Sequence, residues 1–240
     1  MKAIILAAGK STRLYPLTSS LPKSLLIIGD KTIIDHQIES LIEADIHELV
    51  IVVGYYKEKI IDHLAEKKYP IVITYIENDR YENSHPITSL HFAKAYIEGP
   101  LIFFHCDVLF TADVIKAILA NPNESVMPYR ENVWDEEAGK IIVDSDGRVR
   151  ELGKHIDENR ATGEYLQVAK FGADFCRRLI TVLDDRVRDG RDGYTIEALN
   201  DVVQDDSIRA IGLPFNGFAM EIDMIDDYEA AQKAWNEKIL

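Results

Sequence analysis

Cysteine is scarce in this chain. Cys106 and Cys176 are the only two in 240 residues, and they have no paired spacing. Neither a disulfide framework nor a zinc site is therefore written into the sequence. Positive charge is in deficit too. Twenty-seven Lys and Arg stand against 41 Asp and Glu, a net charge of -14, whereas a nucleic-acid binder gathers a basic excess on one face. Such a chain repels polyanions, and an anionic ligand must be met by a few placed cations or a metal ion. No apolar run approaches the ~20 residues of a membrane-spanning helix. The N-terminal run is cut by Lys10, too early for the apolar segment of a signal peptide. There is no internal repeat, low-complexity segment or Pro/Gly-rich linker. These absences predict a soluble, cytoplasmic protein of one compact unit that binds neither nucleic acid nor membrane.

What is present is an alternation of strand and helix. Ala3–Ala8 (AIILAA) reads as a buried strand, and Ile33, Ile34, Ile38, Leu41 and Ile42 recur at helical spacing over about 32–44. A strand over Leu49–Val53 and a helix through Tyr56, Ile60, Ile61 and Leu64 follow, then a strand over Ile71–Ile76. A helix through Ile87, Leu90, Phe92, Ala93 and Ile97 leads to a strand over Leu101–His105. Uninterrupted apolar strands joined by helices indicate a parallel sheet covered on both faces, with ligands in the crevice beyond the strand carboxyl ends. The second half reads as a hairpin (140–143 and 148–152), one strand over Tyr165–Phe171, and helices near 174–187, 195–204 and from Asp226.

Straight after the first strand comes Gly9-Lys10-Ser11-Thr12, which has the letters of a P-loop tail. A P-loop needs a glycine five positions before its Gly-Lys pair and a helix directly after it. Here the earlier position is Ile4, inside the strand, and Pro16 and Pro22 hold the residues before them extended. The dinucleotide fingerprint fails as well, because no second or third glycine follows Gly9. What remains is a turn of small residues bracketed by two cations, Arg13 and Lys23. Backbone N–H groups of a Gly/Ser turn approach phosphate closely, Arg13 offers a bidentate fork, and Lys23 offers a point charge. A solvated polar loop is the alternative, and the placement at a strand carboxyl end favours the phosphate.

Three carboxylates have a comparable placement. Asp107 follows the apolar strand LIFFHC, and Glu221 and Asp223 are two apart, on one side of the chain if it is extended there. Carboxylates near a phosphate repel it unless they hold a divalent cation, and Mg²⁺ suits one or two of them plus substrate phosphates. Read from the residues alone, they are equally a strand-end turn former and capping residues before DDYEAA.

At this point a resemblance enters. LAAGKSTRLYPLTSSLPKSLL resembles the signature L-A-A-G-x-G-T-R-L-x-P-L-T, followed by P-K, of the nucleotidyltransferases that make nucleoside-diphosphate sugars and alcohols; Ser11 stands where the signature has its second glycine. HCDVLF and MEIDMIDDYEAA look like that family's two metal-aspartate elements. The resemblance implies a Rossmann-like, doubly wound α/β fold with a mostly parallel sheet and a smaller mixed α/β acceptor-binding part folded over the crevice. It implies a single domain over 1–240, with a nucleotide half to about 110 and an acceptor half from about 111. Nucleotide contacts are expected from Leu6, Ala8, Gly9, Ser11, Thr12, Arg13, Lys23, Ser84 and Asp107. Mg²⁺ is expected on Asp107 and Asp223, with Glu221 as a further candidate.

The family's reaction is in-line attack by an acceptor phosphate or phosphonate oxygen on the α-phosphorus of a nucleoside triphosphate, with pyrophosphate leaving. That oxygen is already ionised, so catalysis is positioning and charge neutralisation, with Arg13 on the pyrophosphate and Lys23 at the reacting centre. ENDRYENSHPITSLHFAKA resembles the base-recognition loop of the small cytidylyltransferases, especially those acting on phosphocholine, aminoethylphosphonate and inositol phosphate. Asn78, Tyr81, Ser89, Leu90 and Ala93 sit in comparable places, with Ser84-His85-Pro86 where that group has an asparagine pair. DEEAGKIIVDSDGRVRELGKHI and GEYLQVAKFG resemble further segments, which makes Lys154 and Lys170 candidates for the acceptor phosphate. Trp134 and Tyr165, with Tyr194 and Phe218, are either an aromatic wall for a cationic acceptor or plain core. Asp135, Glu136 and Glu137 are either an attraction for an amine or a solvated face.

The expected function is a Mg²⁺-dependent transfer from CTP to a small phosphorylated or phosphonylated alcohol or amine. A hexose-1-phosphate uridylyl- or thymidylyltransferase is the runner-up, and a non-catalytic nucleotide sensor on the same fold is the alternative of another class. Oligomeric state stays open, a homodimer included.

Overall fold

The computed structural model describes residues 1–131 and 138–239. Its first element is β1 (Lys2–Ala7), followed by 3-10 turns at Thr12–Leu14 and Lys23–Leu25 and by a small hairpin of β2 (Ile27–Ile28) and β3 (Lys31–Thr32). α1 (Ile33–Glu43) starts where Thr32 and Asp35 form a reciprocal capping box, satisfying two backbone donors that a helix start leaves open. β4 (Glu48–Val53), α2 (Lys57–Lys67), β5 (Val72–Glu77), α3 (Pro86–Phe92) and β6 (Leu101–His105) continue the alternation. Next come β7 (Val108–Phe110), α4 (Ala112–Ala120), β8 (Val126–Glu131), β9 (Lys140–Val143), β10 (Val149–Gly153), β11 (Gly163–Tyr165) and β12 (Val168–Phe171). α5 (Ala173–Arg188), α6 (Thr195–Val203), β13 (Ile211–Pro214), β14 (Ala219–Glu221) and α7 (Ile225–Ile239) complete the described chain.

Among the described residues one sheet of ten strands runs β10-β9-β11-β8-β12-β6-β1-β4-β5, with β13 beside β8. β6, β1, β4 and β5 are parallel, and their shared register brings the carboxyl ends of β1 and β6 together at Leu6 and His105. Strand direction reverses at β12, and the acceptor-side strands extend the same sheet by antiparallel pairing, except β13, which runs parallel to β8. β1 shows why the apolar runs are continuous. Ile4 and Leu6 enter one core cluster with α3, α5 and α6, whereas Ala3, Ile5 and Ala7 enter another with α1, α2 and α4. Both faces of the sheet are covered, as in a doubly wound α/β fold.

A third cluster matters more for the site. Leu14, Leu26, Ile28 and Ile33 pack with Leu109, Ile222 and Ala231, and Trp235, Tyr228 and Phe218 close over them. This apolar knot ties the loop after β1 to β7, β14 and α7.

The structure departs from the expected elements in two places. The expected strand over 165–171 is two strands, β11 and β12, broken where Gln167 takes a left-handed conformation (φ 55). The helix expected to run through Ile97 stops at Phe92 and gives way to a 3-10 turn, Lys94–Tyr96. Sequence patterning also left β7, α4, β8, β13 and β14 unread.

Candidate active site

The site is assembled at the carboxyl ends of β1 and β6. After Ala8 and Gly9, Ser11 adopts a left-handed backbone (φ 51), and Thr18 Oγ1 donates to its carbonyl (2.8 Å). Glycine takes that conformation without steric cost, which explains why the signature carries one at this position. Lys10 pairs with Glu82 (2.7 Å), so the P-loop letters do not correspond to a P-loop lysine.

The two other cations of the loop converge on carboxylates far away in sequence. Lys23 Nζ, in a 5% exposed side chain, donates to Asp223 Oδ1 (2.7 Å) and Asp107 Oδ2 (3.2 Å). Arg13 Nη2 donates to Asp223 Oδ2 (2.9 Å). The third carboxylate arrives by strand pairing. β14 lies antiparallel to β7 with Glu221 opposite Val108, and the Ile222 N–H donates to the Asp107 carbonyl (2.9 Å). One oxygen from each of Asp107, Glu221 and Asp223 lies within 4.8 Å of the others. Gln167 Nε2 donates to Glu221 Oε2.

The electrostatics show a cluster dominated by negative charge. Burial alone would lower the Lys23 pKa, but Asp107 and Asp223 outweigh it and hold it above its ordinary value. Burial would raise Asp223, and Lys23 and Arg13 reverse this, leaving it below the usual carboxylate range. For Glu221 the pull of Lys23 and Lys154 is the smaller effect. Burial, then the charges of Asp107 and Asp223, push it well above the usual range. Asp107 Oδ1 is buried without a hydrogen-bond partner. Three carboxylates this close, with an unpartnered buried oxygen on Asp107, fit a divalent cation such as Mg²⁺.

A cleft of about 300 Å³ opens over this cluster. Of the sequence-predicted residues, Gly9, Ser11, Thr12, Arg13, Lys23, Asp107, Lys154, Glu221 and Asp223 line it. An adjoining cleft of about 120 Å³ takes Leu6, Ala8 and Ser84 and shares Gly9, Ser11 and Asp107 with the first. Its floor is organised by Asn78, fully buried, whose Nδ2 donates to Ser84 Oγ (3.0 Å) and Ser89 Oγ (2.9 Å).

Other expected residues are placed elsewhere. Lys170 lies in β12 opposite Ile102, towards the start of β6 and away from His105. It is buried, and its Nζ donates to the Asn121 carbonyl (3.0 Å). It is a core lysine outside the cleft, so it does not belong with the acceptor set. Tyr165 is 2% exposed in the main core cluster and borders a small separate cavity behind Glu221. Phe218 packs edge-on against Trp235 (5.6 Å). Of that aromatic group Tyr194 lines the cleft, with Lys154 Nζ 5.2 Å from its ring centre. Trp134, Asp135, Glu136 and Glu137 lie outside the described residues.

Sequence reasoning missed five residues of the larger cleft: His105, Gly139, Gln167, Thr195 and Ile196. His105 Nε2 meets Thr195 Oγ1 at 2.7 Å, linking β6 to α6 across the cleft, and burial lowers the His105 pKa. Its position two before Asp107 was the available signal for His105. Gln167 carried none, because a left-handed glutamine is invisible in sequence.

The family model for nucleotidyl transferases matches residues 2–152. The chain belongs to the nucleotidyl transferase family. This nucleotidyltransferase is 29% identical over 235 residues to the choline-phosphate cytidylyltransferase of Streptococcus pneumoniae, covering 97% of each chain. The solved inositol-1-phosphate CTP transferase of T. maritima superposes with a TM-score of 0.76 at 22% identity, over 97% of this chain and 95% of that one. A UDP-glucose pyrophosphorylase solved with UDP-glucose gives 0.79 at 18% identity, over 99% and 98%. At these identities the two structures establish the fold. Membership makes the chain an enzyme of nucleotidyl transfer, so the sensor alternative is not carried further. No helix among the described residues is long and apolar enough to cross a membrane.

Proposed function

We propose that this nucleotidyltransferase joins CTP to a small phosphorylated or phosphonylated alcohol or amine and releases pyrophosphate. One observation carries the reading: Arg13 and Lys23 converge on Asp107 and Asp223 beside Glu221, between the Ser84 loop and Lys154. Mg²⁺ on the three carboxylates would supply charge neutralisation at the α-phosphate.

The chain's own residues do the rest. Arg13, 47% exposed at its side chain, is placed to leave Asp223 for the departing pyrophosphate. Lys23 is held at the carboxylate cluster as a fixed positive charge for the reacting phosphate. Lys154 faces the same cleft from the acceptor side and takes the acceptor phosphate, with Tyr194 beside it. No general base is required, because the attacking oxygen is ionised at neutral pH. The choice of CTP is supported by the full-length similarity to a choline-phosphate cytidylyltransferase.

The test is pyrophosphate release with each of CTP, UTP, dTTP, ATP and GTP against phosphocholine, aminoethylphosphonate, inositol phosphate and hexose 1-phosphates, with and without Mg²⁺. Turnover is expected with CTP, one of the small acceptors and Mg²⁺. Turnover confined to UTP or dTTP with a hexose phosphate would replace this reading with the uridylyl/thymidylyl one. Full activity in excess chelator would remove the metal from it.

A further inference from the structure

Asp107 lies in a half-buried turn at the edge of the clefts. β6 ends at His105 and β7 begins at Val108, so the carbonyls between them leave the main sheet ladder. Each has a partner. The Cys106 N–H donates to the Leu6 carbonyl (3.1 Å), and the Asp107 carbonyl accepts from Ile222. The carbonyls of His105 and Val108, which bracket Cys106-Asp107, both accept from one atom, Nε2 of Gln37 (2.9 and 2.8 Å).

Gln37 is on α1, fully buried, and lines neither cleft. Its Oε1 is buried without a partner. An unsatisfied buried acceptor is costly, and an apolar side chain of the same size would avoid it, so the two donors are the reason for an amide here. Ser40, one turn further along α1, donates in the same way to the Phe110 carbonyl (3.4 Å). Both residues satisfy β7 carbonyls, but only Gln37 spans the turn that presents the carboxylate.

We infer that Gln37 is a positioning residue: by fixing the carbonyls on either side of Asp107 to one nitrogen, it sets that carboxylate against Glu221 and Asp223. The inference rests on the reading of these three carboxylates as the metal site. Groups that orient metal ligands from behind usually affect affinity by about 10–100-fold.

The experiment is calorimetric titration of Mn²⁺ alone into the full chain, with thermal unfolding followed in parallel. Gln37→Met, which keeps the volume and removes the donors, should weaken Mn²⁺ binding by about 10-fold or more. Ser40→Ala should leave it unchanged, and Asp107→Asn should abolish it. Gln37→Asn, which keeps the amide one methylene short of both carbonyls, carries the same expectation and serves if the Met variant fails to fold. Unchanged affinity in the Gln37 variants, with loss in Asp107→Asn, overturns the inference and leaves the metal reading intact. Equal losses in Ser40→Ala and Gln37→Met also overturn it, because they reduce Gln37 to helix packing. No Mn²⁺ binding by the natural chain, or binding indifferent to Asp107→Asn, overturns the metal reading itself.

Discussion

Asp35 offers a quantitative test of how this fold is held together away from the cleft. Its side chain is 1% exposed, in the first turn of α1. Oδ1 accepts from His63 Nε2 and Tyr69 OH, both at 2.9 Å, and Oδ2 accepts from the Thr32 N–H (3.3 Å) and faces Lys67 Nζ (3.3 Å). Burial would push this carboxyl up, but the hydrogen bonds from His63, Thr32 and Tyr69 outweigh it and bring it down from 3.8 to about 2. The unfolded chain therefore takes up this proton near pH 4 and the folded chain only near pH 2. The resulting stability is present above pH 4 and is lost as pH falls towards 2. At 1.36 kcal/mol per pH unit of displacement, it amounts to about 2 kcal/mol at neutral pH.

The perturbation is Asp35→Asn, which keeps shape and removes charge. Urea unfolding at pH 7, 5, 4 and 3 should show the variant less stable by about 2 kcal/mol at pH 7, with the gap closing by about half at pH 3. A gap that stays constant from pH 7 to pH 3 would mean that the cluster acts through packing and not through an ionised carboxylate.

Two further predictions concern the cleft. Asp107→Ala and Asp223→Ala should each lower the rate of pyrophosphate release by about 10²-fold or more, the scale of removing a preorganised electrostatic group; near-natural rates would refute the metal assignment. The two candidate acceptor lysines should separate. Lys154→Ala should raise the acceptor KM while leaving the nucleotide KM in place. Lys170→Met should leave both unchanged, since Lys170 reaches only the Asn121 carbonyl; a raised acceptor KM in the Lys170 variant would place that lysine back at the site.

The parts of this protein that its sequence determined are those written in short-range pattern. Continuous apolar runs over 3–7, 49–53 and 101–105 gave strands buried on both faces, because a strand's two faces are both legible in six residues. The turn after β1, with Arg13 and Lys23, was legible because glycine, proline and charge act on the backbone locally. The position of Asp107 followed from the strand in front of it. Tertiary structure decided everything that depends on register between distant segments. Glu221 and Asp223 reach Asp107 only because β14 pairs with β7 across more than a hundred residues. Lys170 and Tyr165 leave the cleft because their strands pair at Ile102 and Tyr129, and no sequence pattern states which neighbour a strand will choose. The left-handed Gln167 and the clamp from Gln37 belong to the same class: each is a local conformation or contact imposed by a partner that folding brings from elsewhere in the chain.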